Sequence, residues 1–155
     1  MSIQVQFLNP FLSSFINTME TMATMKLVPE KPRLKEGHVA LGDVSGLMGM
    51  VATEARGSMS ITFAEDFALN TMEKMLGERP ESINEEVSDM VGEICNIVVG
   101  GAKRILSENG FEFDMATPAV VTGKQHSIQH KSKGKIILVP FKSEFGKAYI
   151  EICFE

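Results

Sequence analysis

The sequence predicts an α+β fold: a mainly antiparallel sheet with long helices packed on it. Three observations lead there. Apolar residues recur at helical spacing in two long stretches, one after Pro10 and one across residues 83–108. Short apolar runs broken by glycine and small residues read as paired strands at 39–63 and again at 133–155. The resulting order is helix, hairpin, helix, helix, strand, hairpin. It clusters antiparallel pairs between helices instead of alternating single strands with helices. A helix followed by paired strands occurs twice, which suggests two degenerate repeats.

Each element has its own warrant. Asn9 and Pro10 are read as cap and first residue of the opening helix. Leu12, Ile16, Met19 and Ala23 form its stripe, widened by Phe11, Phe15 and Met22. Residues 28–37, "VPEKPRLKEG", read as a connector, because two prolines and several charges break any period. Two strands follow, joined near Glu54–Gly57. Thr62 and Glu65 form a capping-box pair ahead of the second helix. Phe67, Met72 and Met75 supply its apolar side, and Gly77 its stop. Ser82 and Glu85 form a second capping-box pair, for a long helix over about 83–108 that Asn109-Gly110 ends. "ATPAVVTG" (116–123) reads as a strand, and the last hairpin turns at Ser143–Gly146.

With 155 residues, a single domain spanning 1–155 with a sizeable core is expected. No apolar run approaches the roughly 20 residues of a membrane span, and the start lacks the basic flank of a secretory signal. A cytoplasmic location without membrane attachment is expected. The formal net charge of −5 disfavours nucleic acid, whose phosphates demand Lys and Arg. Cys95 and Cys153 lack metal-type spacing and are read as reduced, packed thiols.

The long helix poses a question. "DMVGEICNIVVGGAKR" (89–104) carries Gly92, Gly100 and Gly101, each costing about 1 kcal/mol against alanine in a helix interior. At roughly 100° per residue, Asp89, Glu93, Asn96, Gly100, Lys103 and Ser107 share one front about 80° wide. Val91, Ile94, Val98, Ala102 and Ile105 form the opposite back. Glu93 and Asn96 are neighbours one turn apart on the front. Missing side chains at Gly100, and at Gly92 on the margin, would let a partner surface come close. Gly101 lies off the front and is read as helix–helix packing. Taken alone, an acid and an amide on a helix face are most often merely solvated.

The stretch "DMVGEICNIVVGGAK", with "ATPAVVTG" about twenty residues later, resembles the signature of the CheC/CheX/FliY chemotaxis phosphatases. That pattern is an Asp or Ser, three residues, Glu, two residues, Asn, and later a Pro; here these are Asp89, Glu93, Asn96 and Pro118. "GSMSITFAEDFALNTMEKMLGE" (57–78) resembles the family's preceding strand and helix, and the length suits CheX. The resemblance implies a protein phosphatase that acts on the aspartyl phosphate of a CheY-like response regulator. It implies a catalytic pair, Glu93 and Asn96, with Asp89, Gly92 and Gly100 as partner contacts. Asn96, neutral and able both to accept and to donate, would hold the attacking water. Glu93 would pair with the lysine beside the regulator's phosphorylation site. No cofactor is expected in the chain; any Mg²⁺ would sit on the regulator. The opening helix lacks a second such pair, since Ala23 stands three residues after Glu20, so a single site is expected. CheX relatives are homodimers, and the late strands "IILVPF" and "AYIEICF" are read as able to extend a sheet across a two-fold axis. The rival reading is a non-catalytic module that docks on a regulator or a flagellar-switch component.

Other candidates are declined. His126 and His130 have no evident third ligand for zinc, and their lysine-rich segment is read as a solvated loop or edge. "TPAVVTGK" lacks the first glycine of a P-loop.

Overall fold

The computed structural model describes residues 3–53, 55–130 and 134–154. Three helices, α1 (Ile3–Ala23), α2 (Glu65–Leu76) and α3 (Glu85–Glu108), pack with one antiparallel sheet. Its strands are β1 (Val28–Pro29), β2 (Arg33–Lys35), β3 (Val44–Val51), β4 (Arg56–Phe63), β5 (Asp114–Met115), β6 (Ala119–Thr122), β7 (Ile136–Ser143) and β8 (Gly146–Phe154). The order is β1-β7-β8-β4-β3-β5, with β2 also on the outer edge of β7 and β6 also on the outer edge of β3. The α+β prediction is thus met, as are both hairpins and the β6 strand; of the first turn, expected near Glu54–Gly57, Glu54 lies outside the described residues and Gly57 is already within β4.

Alternation along the strands makes two different faces. Val44, Met48, Met59, Ile61, Phe63, Ala148, Ile150 and Ile152 point to the helices and are buried in one apolar cluster with Phe11, Phe15, Met19, Val91, Ile94 and Val98. The opposite face carries Ser45, Ser58, Ser60, Thr62, Glu151 and Cys153, and it is buried too.

Several boundaries differ from the sequence reading. α1 does not start at Asn9-Pro10; it begins at Ile3 and carries Pro10 inside. A proline within a helix costs about 3 kcal/mol. Phe7 and Leu8 are buried, and Phe7 stacks within 4.9 Å of Phe111 and 4.6 Å of Phe154. Burying two such side chains returns about 1.5–3 kcal/mol each, enough to hold the extra turns. The connector at 28–37 contains the short strands β1 and β2, both paired to β7. Proline is tolerated there because an edge strand need not donate on both sides.

Neither capping box forms. Thr62 lies within β4 and hydrogen-bonds Ser45 on the far face of the sheet at 2.6 Å. The first N–H of α2 is instead satisfied by Asp43, whose Oδ2 accepts from Glu65 at 2.8 Å. α3 is capped by Asn84, which accepts from the Val87 N–H at 3.0 Å, not by Ser82. The stops hold: Gly77 closes α2 in the left-handed conformation at φ 87°, and Asn109 caps α3 ahead of Gly110. The late strands also differ from expectation as dimer edges. β8 is interior, between β7 and β4, and β7 is covered by β1 and β2.

Candidate active site

α3 is fixed on two sides. On the sheet side Cys95 is fully buried against Gly46 of β3, where any added Cβ would collide with the Cys95 sulfur. Burial pushes that thiol up to about 12, only partly countered by a backbone hydrogen bond involving Ile61, so it stays protonated and serves packing. On the α1 side Gly101 abuts Ser14, leaving no room for a side chain, and the Ser14 hydroxyl donates to the Val98 carbonyl at 2.7 Å. The glycine is an internal packing device, as the sequence indicated. Val91, Ile94, Val98 and Ala102 are fully buried. With the back and flanks of the helix thus occupied, its remaining arc must face outward.

Asp89, Glu93 and Asn96 stand on that arc and are exposed. None of the three side chains takes a hydrogen bond or ion pair among the described residues. Three residues apart on a helix, Glu93 and Asn96 have their Cβ atoms roughly 5–6 Å apart, so both can reach into one partner pocket. The two front glycines differ. A Cβ on Gly100 would meet nothing within 4 Å, whereas one on Gly92 would touch Val120 of β6 at 3.4 Å. Gly92, half-buried, therefore lies at the seam where β6 packs on α3, at the margin of the arc. Pro118, half-buried, leads into that strand and so borders the site.

The histidine segment is exposed at Lys124, Gln125, Ser127 and Gln129, as a solvated loop would be, but its two histidines turn inward. His126 is buried; its Nδ1 donates to the Gly123 carbonyl at 2.6 Å, and its Nε2 shares a hydrogen bond with the Ser45 hydroxyl at 2.7 Å. His130 links Ser58, at 2.5 Å, to Glu151, at 3.2 Å. Lys35 reaches Glu151 from the other side at 2.8 Å. Burial by itself would raise the Glu151 carboxyl. The hydrogen bonds from His130 and Lys35, with their charge, outweigh it and hold the group below its ordinary range. Serine, histidine and glutamate occur here in the order of a hydrolase triad. All three are buried, so no substrate reaches the hydroxyl, and the chain of bonds knits residues 126–130 onto the sheet. The sequence reading missed Glu151; its one signal was a lone acid in the apolar run "AYIEICF". Residues 131–133, which hold two of the segment's lysines, lie outside the described residues.

An acid and an amide standing free on the convex surface of a helix suit a macromolecular substrate with its own pocket, more than a small molecule that must be enclosed. The comparisons agree. The family model "Chemotaxis phosphatase CheX" matches residues 44–142. The chemotaxis protein CheX of Vibrio vulnificus is 63% identical over 97% of this chain and 99% of its own, with a TM-score of 0.91. A CheC-like superfamily protein of Shewanella sp. PV-4 is 59% identical over 100% of this chain and 99% of its own, with a TM-score of 0.92. The CheX-CheY-BeF3-Mg²⁺ complex of Borrelia burgdorferi matches at a TM-score of 0.80 and 24% identity, over 96% of this chain and 97% of that one, a likeness of fold. No curated protein matches the sequence. The chain belongs to the CheX family of chemotaxis phosphatases.

Proposed function

We propose that this chain removes the phosphoryl group from the aspartate of a CheY-like response regulator, with Asn96 and Glu93 as its catalytic pair. The observation that carries the assignment is the unpartnered exposure of both side chains on one arc of α3, within the segment that matches the phosphatase family. An acyl phosphate is already reactive, so what remains to be supplied is an in-line water and its alignment. Asn96 accepts from that water and holds it behind the phosphorus. The water oxygen bonds to phosphorus, the bond to the aspartyl oxygen breaks, and the products are a carboxylate and inorganic phosphate. The water's proton leaves to phosphate or solvent. Glu93, being anionic, stays away from the phosphoryl oxygens and pairs with a lysine of the regulator, which fixes the helix in the pocket. Asp89 and Gly100 complete the contact. The chain supplies no cofactor; Mg²⁺ belongs to the regulator's own site.

The protein acts in the cytoplasm, where response regulators are. No helix among the described residues is long and apolar enough to cross a membrane. It works as a homodimer with both catalytic faces free. The test is dephosphorylation of a phosphorylated CheY-type regulator over a concentration series. Asn96→Ala abolishes the acceleration while the complex still forms, because the lost interaction acts in the transition state. Glu93→Ala chiefly weakens binding. Full activity of Asn96→Ala, with circular dichroism as the folding control, would sink the mechanism.

A further inference from the structure

Beside the catalytic arc lies a cleft of about 490 Å³ between α1 and α3, lined by Ser13, Asn17, Ile97, Gly100 and Arg104 among others. Gly100 belongs to both cleft and arc, so the two surfaces are continuous. Among the described residues, no neighbouring group lies within 4 Å of where a Cβ on Gly100 would stand. Its helix cost of about 1 kcal/mol therefore has no internal return. Ile97 is 38% exposed at the cleft wall, an apolar side chain left uncovered. Arg104 is exposed and forms no ion pair among the described residues.

The charges along α3 are uneven. Glu85, Glu86, Asp89 and Glu93 occupy its first half; Lys103 and Arg104 lie in its second, with Glu108 in the last turn. The helix dipole favours the acids of the first turn, but it does not require a cation at the wall of a cleft, next to hydroxyls and an amide. We propose that the α1–α3 cleft receives an acidic side chain of the response regulator and that Arg104 holds it. The inference rests on the reading of Glu93 and Asn96 as the catalytic pair. Eleven residues of helix separate Glu93 from Arg104, roughly 16 Å at 1.5 Å per residue, well inside a standard interface. An acid that takes a lysine and a base that takes a carboxylate, spaced like this, admit one direction of docking. Arg104 is thus a positioning residue that orients the regulator as it docks on α3.

Steady-state dephosphorylation of a CheY-type regulator that the wild-type protein turns over tests this. Arg104→Glu is expected to raise KM about tenfold while kcat stays within about twofold, since a charge at an interface rim governs encounter and register. Arg104→Lys restores most of the affinity. Added salt raises the wild-type KM more than that of Arg104→Glu. Lys74→Glu, the same charge change on the exposed side of α2, leaves KM within about twofold. An unchanged KM for Arg104→Glu, or an equal rise for Lys74→Glu, overturns the inference and leaves the catalytic reading standing. A wild-type protein that turns over no phosphorylated regulator overturns that reading itself.

Discussion

Asn96 and Glu151 mark two opposite uses of a polar side chain. Asn96 is exposed, with no partner among the described residues, so removing it costs the fold little. Its loss is expected to lower turnover by a factor on the order of 10²–10³, the scale of one positioned group, with helix content unchanged. Glu151 is fully buried and held by Lys35 and His130. Removing one partner of a buried pair leaves the other uncompensated, so Glu151→Ala should cost about 3 kcal/mol. The carboxyl titrates lower in the folded chain than in the unfolded one. The unfolded chain therefore binds the extra proton in acid, and the stabilisation is complete above the unfolded carboxyl range. It is lost as pH falls through the folded value. Thermal denaturation across pH 7 to 3 should show a steeper acid loss for wild type than for Glu151→Gln; parallel profiles would remove Glu151 from the account.

At the scale of the element, α3 is a helix whose three glycines do three things. Gly101 lets α1 approach, Gly92 lies under β6, and Gly100 faces open space. Gly101 is the one that a side chain cannot replace without a shift, whereas Gly100 has open space for a large one. Gly100→Leu removes a helix penalty of roughly 0.8 kcal/mol, which should raise the melting temperature by about 2–3 °C in a chain of this size. The leucine also fills the ground in front of the helix, so binding to the regulator should weaken. Calorimetry and the KM series read the two effects separately. Lower stability with unchanged binding would return Gly100 to internal packing.

At the scale of the whole molecule, the sheet has two outer borders, one made by β1 and β2 and the other by β5 and β6. On and beside the first, Val28, Leu34 and Leu41 are each at least 45% exposed. An uncovered edge with apolar side chains is a pairing hazard unless something covers it. A second copy joined there leaves α3 free, which fits a dimer with two working faces. Light scattering at micromolar concentration should give a dimer mass, and Leu34→Glu should shift it toward the monomer. A monomeric wild type would reject the assembly, and an unaffected dimer in Leu34→Glu would place the contact elsewhere.

Local pattern in the sequence determined the elements with strong periodicity, α2, α3 and the two long hairpins, because a 3.6- or 2-residue repeat is written in neighbouring residues. It also determined the order of Asp89, Glu93 and Asn96 on one arc, since helix geometry alone places them. Tertiary structure decided what depends on residues far apart in the chain. Phe111 and Phe154 made a helix of the residues before Pro10. Asp43 displaced the expected cap of α2, and β7 gave the Pro-rich connector its two strands. Glu151, His130 and Lys35 became one buried network only when the sheet brought them together. Such contacts have no period along the chain; their energy exists only once the fold has closed, and the exposure of the arc proposed as catalytic follows from which flanks of α3 that closure covers.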